Sequence, residues 1–138
     1  MRLRYLVAAL IVALVSVAGA AAAMQKGSLH ATLSGKAETP KGDPDGSGTA
    51  EIKITGTKVC WEIHATRVGT LLAAHIHKGG AGVSGPVVVP LGKTYKSKGC
   101  TTAPSSVAAA ILKSPGAYYV NVHNAKYPGG ALRGQLRS

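Results

Sequence analysis

What most constrains this chain is a polar–apolar alternation of period two, recurring in short runs that turn residues separate. Residues 28–34 read S-L-H-A-T-L-S, which puts Leu29, Ala31 and Leu33 on one side of a strand and His30 on the other. Residues 49–55, T-A-E-I-K-I-T, alternate again, and after Gly56 so do residues 58–66, K-V-C-W-E-I-H-A-T. There Val59, Trp61 and Ile63 share one face and Cys60, Glu62 and His64 the other, and the short connection makes the two runs a hairpin. Residues 71–77 and 86–91 are the next strands, joined by 78–85; residues 118–124 and 131–136 form a last pair around Tyr127-Pro128-Gly129-Gly130. Residues 93–98 are polar and read as an exposed edge or loop. Residues 41–48, KGDPDGSG, form a turn; they lack the third acidic ligand and distal Glu of a calcium loop. The helical signal is 105–113, with Ser105 or Ser106 as N-cap, an alanine-rich body, Lys113 late and Pro115-Gly116 as the stop. The pattern predicts an all-β fold, an antiparallel Greek-key sandwich or barrel of about seven or eight strands with one short helix.

The first 23 residues stand apart from that fold. Arg2 and Arg4 precede an apolar stretch over 6–17, followed by Ala18-Gly19-Ala20 and Ala21-Ala22-Ala23, both small-x-small cleavage patterns. This reads as an export signal, 1–23. An uncleaved anchor is the competing reading, because 5–23 is nearly long enough to span a bilayer, and the alanine-rich end favours cleavage. No membrane span is expected after cleavage, and the rest, about 115 residues, is one domain, 28–138. Without Arg2 and Arg4, 14 basic residues face 5 acidic ones, a formal +9 with histidine neutral. Such a balance suits an anionic envelope component; nucleic acid is disfavoured because the chain is exported and its lysines are scattered. Cys60 and Cys100 are the two cysteines, which in an exported domain read as a disulfide; C-x-x-C spacing for a thiolate metal site is missing. The closed loop of 41 residues, both ends counted, implies stabilisation of roughly 3–4 kcal/mol.

Residues 73–91, AAHIHKGGAGVSGPVVVPL, carry most of the chemistry. On a strand, His75 and His77 share a face about 7 Å apart at the backbone, so both imidazoles can converge on one ion. Tyr119, Asn121 and His123 share a face of the later strand, so His75, His77 and His123 are candidate ligands for copper or zinc. A fourth ligand would come from His64, His30, Glu62 or water; Asn121 and Arg133 are further candidates for coordination or support. The competing reading is that these histidines pin loops through hydrogen bonds, His75 and His77 to the glycine loop and His123 to the YPGG turn. For Arg133 the competing reading is a stem over apolar surface with its head in water. Ser84 is not in a nucleophile elbow and the few acidic residues form no catalytic pair, so no catalytic residue is assigned.

LSGKAETP with DPDGSGTA, VCWEI, AAHIHKGGAGVSGPVVVPL, the second cysteine at Cys100 and GAYYVNVHNAKYPGGALRGQL together resemble the CHRD domain, the module named after the secreted regulator chordin. The resemblance spans residues 33–136, and His64 lies outside its motifs. It implies an extracellular β domain that binds proteins without catalysis; in chordin the partners are growth factors of the bone morphogenetic class. The chain is also distantly similar to copper–zinc superoxide dismutase in its H-x-H strand, its later lone histidine and its disulfide, but the zinc-loop ligands are missing between His77 and Cys100. Three functions follow as expectations: an exported domain binding copper or zinc, a secreted or periplasmic module binding an extracellular protein or envelope component, and a dismutase-like enzyme.

Overall fold

The computed structural model describes residues 23–138, and almost all of the export-signal segment lies outside them. The eight strands are β1 (Lys26–Ser34), β2 (Ser47–Thr55), β3 (Lys58–Thr66), β4 (Leu71–Lys78), β5 (Val87–Pro90), β6 (Lys98–Thr102), β7 (Tyr118–Asn124) and β8 (Leu132–Gln135), with one helix, α1 (Ser105–Lys113). All pair antiparallel in one sheet of order β5-β4-β7-β8-β1-β2-β3-β6. Within it β1, β2 and β3 follow one another, whereas β6 lies beside β3 and β7 returns beside β4, the crossed connections of a Greek-key sheet. The segment between β5 and β6 all but closes the sheet into a barrel. Its Tyr95 N–H donates to the Leu72 carbonyl on β4, and its Ser97 carbonyl accepts from Ile63 on β3.

The alternation in the sequence sorts the faces as expected. Leu29, Ala31, Leu33, Ala50, Ile52, Ile54, Val59, Trp61 and Ile63 are buried in the barrel, while His30 and His64 are exposed. At 0 % exposure, residues such as Ile52, Val59 and Ile76 each contribute roughly 1.5–3 kcal/mol by leaving water. The two-residue turn at Gly56 and Thr57, with Gly56 at φ 58°, sets the β2–β3 hairpin register through Thr55 and Lys58. Asp43 Oδ1 accepts from the N–H groups of Asp45 and Gly46, so the Asp43 carboxylate serves the turn at residues 41–48.

Residues 93–97 form the expected exposed loop, and the edge strand β6 follows it, starting at Lys98 and carrying Cys100. Its register is fixed by the direct pairing of Cys100 with Cys60 and by Gly99, where an added Cβ would sit 2.6 Å from the Trp61 ring. The helix has the expected bounds, but its N-cap is Pro104 rather than either serine. Pro104 supplies only its carbonyl, which accepts from Val107 and Ala108. The helix packs on β1, where Gly27 leaves the space that Leu112 fills.

The Cys60–Cys100 disulfide is formed, joining β3 to the edge strand β6 across 40 positions of sequence. Replacing both cysteines by serine is expected to lower unfolding free energy by about 3 kcal/mol, because the unfolded chain regains the closed loop's freedom. Denaturant unfolding of the pure protein measures it.

Candidate functional site

The candidate site lies on the outer face of β4, β7 and β8, opposite the core. On β4, Ala74 and Ile76 are buried in the barrel, which turns His75 and His77 outward to half-buried positions. Antiparallel pairing sets His75 against Asn121, His77 against Tyr119, and Ala73 against His123. Because Ala73 is small, His123 has room to lean toward His75. On the next strand, Arg133 lies opposite Asn121 and Gln135 opposite Tyr119. The strand order thus lays the polar residues out in rows.

The three expected histidines are brought together. His75 Nδ1 and His123 Nε2 are 3.0 Å apart, and one ligand nitrogen from each of His75, His77 and His123 lies within 4.8 Å of the others. Backbone carbonyls select the tautomers. His77 Nδ1–H donates to Gly85 O at 2.8 Å, and His123 Nδ1–H donates to Pro128 O at 2.9 Å. In the neutral rings both Nε2 atoms are therefore lone pairs aimed inward. His123 Nε2 can accept from His75 Nδ1–H. His77 Nε2 is buried and unbonded, with the Asn121 amide nearby but outside hydrogen-bonding geometry. A buried lone pair without a donor is destabilising, and a cation would satisfy it. Two nitrogens on a tetrahedral zinc ion stand about 3.4 Å apart, so a pair at the 4.8 Å limit would have to close by more than about 1 Å.

The loop-pinning reading also holds in part, since His77 does bond the glycine loop and His123 the YPGG turn. The two readings are compatible for His77 and His123, which use Nδ1 for a loop carbonyl and turn the Nε2 lone pair toward the cluster, whereas His75 bonds His123 and not the glycine loop. An Nδ1 bond to a carbonyl is the way metal-ligating histidines are ordinarily oriented.

Around the histidines the structure adds residues whose roles the sequence did not reveal. Tyr119 stacks on His77, with ring centroids 4.8 Å apart and planes 9° from parallel, and its hydroxyl accepts from Gly85 N–H. The Arg133 guanidinium lies 3.4 Å from the centre of the Tyr119 ring. It donates to the carbonyls of Val83 and Gly80 and to Gln135 Oε1, at 2.9, 2.7 and 3.0 Å. At 1 % exposure its head is not in water, as one sequence reading had it; instead Arg133 braces the glycine loop against the sheet. Ser84 Oγ donates to Thr39 O, tying the same loop to the segment that carries Glu38. Glu38 is buried beside Arg133 and Asn121. Burial raises its pKa above 4.5, against the lowering effects of Arg133 charge and hydrogen bonds from Asn121 and the Thr39 backbone. The glutamate falls in a turn-like stretch, LSGKAETP, where no spacing connects it with the histidines.

His64 is not brought to the cluster, which corrects its expected role as an additional ligand. It lies on β3, separated from β7 by β8, β1 and β2, with its side chain 73 % exposed and 3.4 Å from Glu62. His30, on β1, and Glu62, on β3, are likewise outside the cluster, and Glu62 is paired with Lys98.

Fold and site together define a small, disulfide-crosslinked β-barrel domain with a histidine centre on its outer face. The chain belongs to the CHRD domain family, which it matches over residues 29–136. No curated protein and no solved structure matches it. CHRD domains are binding modules, and the disulfide and the family both fit an extracellular location. Among the described residues no helix is long and apolar enough to cross a membrane.

Burial, reinforced by the rings of His123 and His77, pushes the pKa of His75 from 6.5 down to about 4. Burial likewise lowers that of His77, against its bond to Gly85. Between pH 6.5 and about 4 the unfolded chain therefore binds more protons at these rings than the folded one, so stability rises with pH across that window. Glu38 has the opposite sign, taking up its proton earlier in the folded state. With two histidines against one carboxyl, the melting temperature is expected to fall as pH drops from 7 to 4, and His75→Gln to flatten that slope. Calorimetric scans at stepped pH measure both.

Proposed function

We propose that this protein is an exported CHRD-type binding domain whose His75, His77 and His123 centre takes up copper or zinc. The observation that carries the reading is the buried, unbonded Nε2 of His77, held in its tautomer by Gly85 O and converging with ring nitrogens of the other two histidines. Imidazole nitrogen suits both ions. The low proton affinity of His75 supports it as well, because protons compete weakly for that ring above pH 4. The domain acts as a binding protein rather than an enzyme in this reading, and the export signal delivers it to the periplasm or the medium, where its disulfide is stable.

A second reading is favoured by charge. With +9 on the mature chain, the domain would bind an extracellular protein or an anionic envelope component through its basic surface. That contact would weaken with salt and be indifferent to His77→Ala. A dismutase-like activity is a third reading, and superoxide consumption by the copper-loaded protein above that of free copper would support it.

Calorimetric titration of the purified protein with Zn(II) and Cu(II) decides the first reading. The expected result is near-stoichiometric binding with a Kd below about 10 μM, roughly −7 kcal/mol, and a loss of 100-fold or more in His77→Ala. Weaker binding by the unaltered protein would remove the metal from the function.

A further inference from the structure

One end of the barrel carries cations and no acid. Lys26 opens β1 and Lys58 opens β3, and both stand opposite Thr55, the last residue of β2 between them. Helix α1 packs on β1 at this end, where Leu112 fills the space beside Gly27. The last residue of that helix, Lys113, lines a shallow groove together with Lys26. All three lysines are exposed. Of the five acidic residues in the chain, Glu38 is buried, and Asp43 and Asp45 lie in the connection from β1 to β2, at the opposite end. Glu51 and Glu62 stop about 13 Å short along their strands, and they pair with Lys53 and Lys98.

Apolar surface accompanies these lysines. Met24 is 70 % exposed, more than any other large hydrophobic among the described residues, and its side chain lies beside Gly56 in the turn between β2 and β3. Gln25 O accepts from Gly56 N–H, which fixes the entry of the chain at that turn. Between Lys26 and Lys113 the groove is lined by Ala109, Ala110 and Leu112. A rim of lysines around methyl groups suits a phospholipid, whose phosphate meets the cations while its first methylenes meet the apolar floor. An acidic glycan would satisfy the lysines and leave Met24 and the groove floor bare. The chain preceding Met24 also joins the barrel at this end, and residues 1–23 read as an export signal or an anchor. In either case the lysine end is the one nearest the bilayer while that segment is attached.

We propose that this end of the barrel, through Met24, Lys26, Lys58 and Lys113, docks on an anionic phospholipid surface. The inference rests on the charge-based reading above and narrows it, from a basic surface to one end of the barrel and from any envelope anion to lipid.

The test is cosedimentation of the purified protein with phosphatidylcholine vesicles, with and without phosphatidylglycerol. Binding is expected only where phosphatidylglycerol is present, and it should weaken as salt is raised. Lys26→Gln, Lys58→Gln and Lys113→Gln should each weaken it about 5-fold, and the three together about 100-fold. Met24→Ser should weaken it several-fold without altering the salt dependence, because it removes apolar contact and no charge. A control that loses the same charge from the opposite end, Lys36→Gln with Lys93→Gln and Lys126→Gln, should change binding less than about 2-fold. All these positions are exposed, so the variants retain the fold. Equal losses in the two triple variants would overturn the docking end and leave the charge-based reading standing. Retention on heparin without binding to either vesicle would overturn the lipid and likewise leave that reading standing. Binding to neither heparin nor vesicles would remove both.

Discussion

The pairing of β4 with β7 is the constraint on which the rest depends. It joins residues far apart in sequence, and it fixes both faces at once: Ala74 and Ile76 meet Val122 and Val120 on the core side, while His75 and His77 meet Asn121 and Tyr119 outside. A slip of one residue would drive the imidazoles into the barrel and expose Ile76. Since Ile76, Val120 and Val122 are all at 0 % exposure, the hydrophobic core forbids that slip. Apolar packing inside thus sets the geometry of polar groups outside.

The glycine loop is held to this sheet by a layered contact. His77, Tyr119 and Arg133 come from three successive strands and pack ring on ring and guanidinium on ring. Arg133 can be buried with its charge because the carbonyls of Gly80 and Val83 and the Gln135 amide oxygen take its N–H groups. A lysine could carry the charge but not span these acceptors while lying flat on an aromatic ring. The same loop supplies Gly85 O to His77, so Arg133 acts on the histidine through both the backbone and the ring.

Much of the fold was legible because period-two patterning is a direct readout of two-faced burial. Leu29, Ala31 and Leu33, and Val59, Trp61 and Ile63, turned inward as their spacing implied. The strand through Cys100 was not legible, since its sequence is polar and its place comes from the disulfide and from Trp61 lying over Gly99. In the site, the shared faces of His75 with His77 and of Asn121 with His123 could be read from strand parity. Which strands are neighbours could not, and so His64 stood as an open ligand until sheet order removed it. Glu38 was invisible for a further reason: it reaches the site from a short 3-10 turn after β1, where no periodicity says which way a side chain points.

The segment that crosses from β4 to β3 has a bearing on how such a domain meets other molecules. A sheet whose ends are bridged by its own chain, through Tyr95 and Ser97, offers little unpaired backbone to a visiting strand. The β5 edge is also short and ends at Pro90, which has no N–H to give. Recognition by adding a strand is thus discouraged at the seam, and so is edge-to-edge aggregation. What the barrel presents instead is its loops and outer side chains, so its choice of partner can change by surface substitution while the backbone beneath stays as it is.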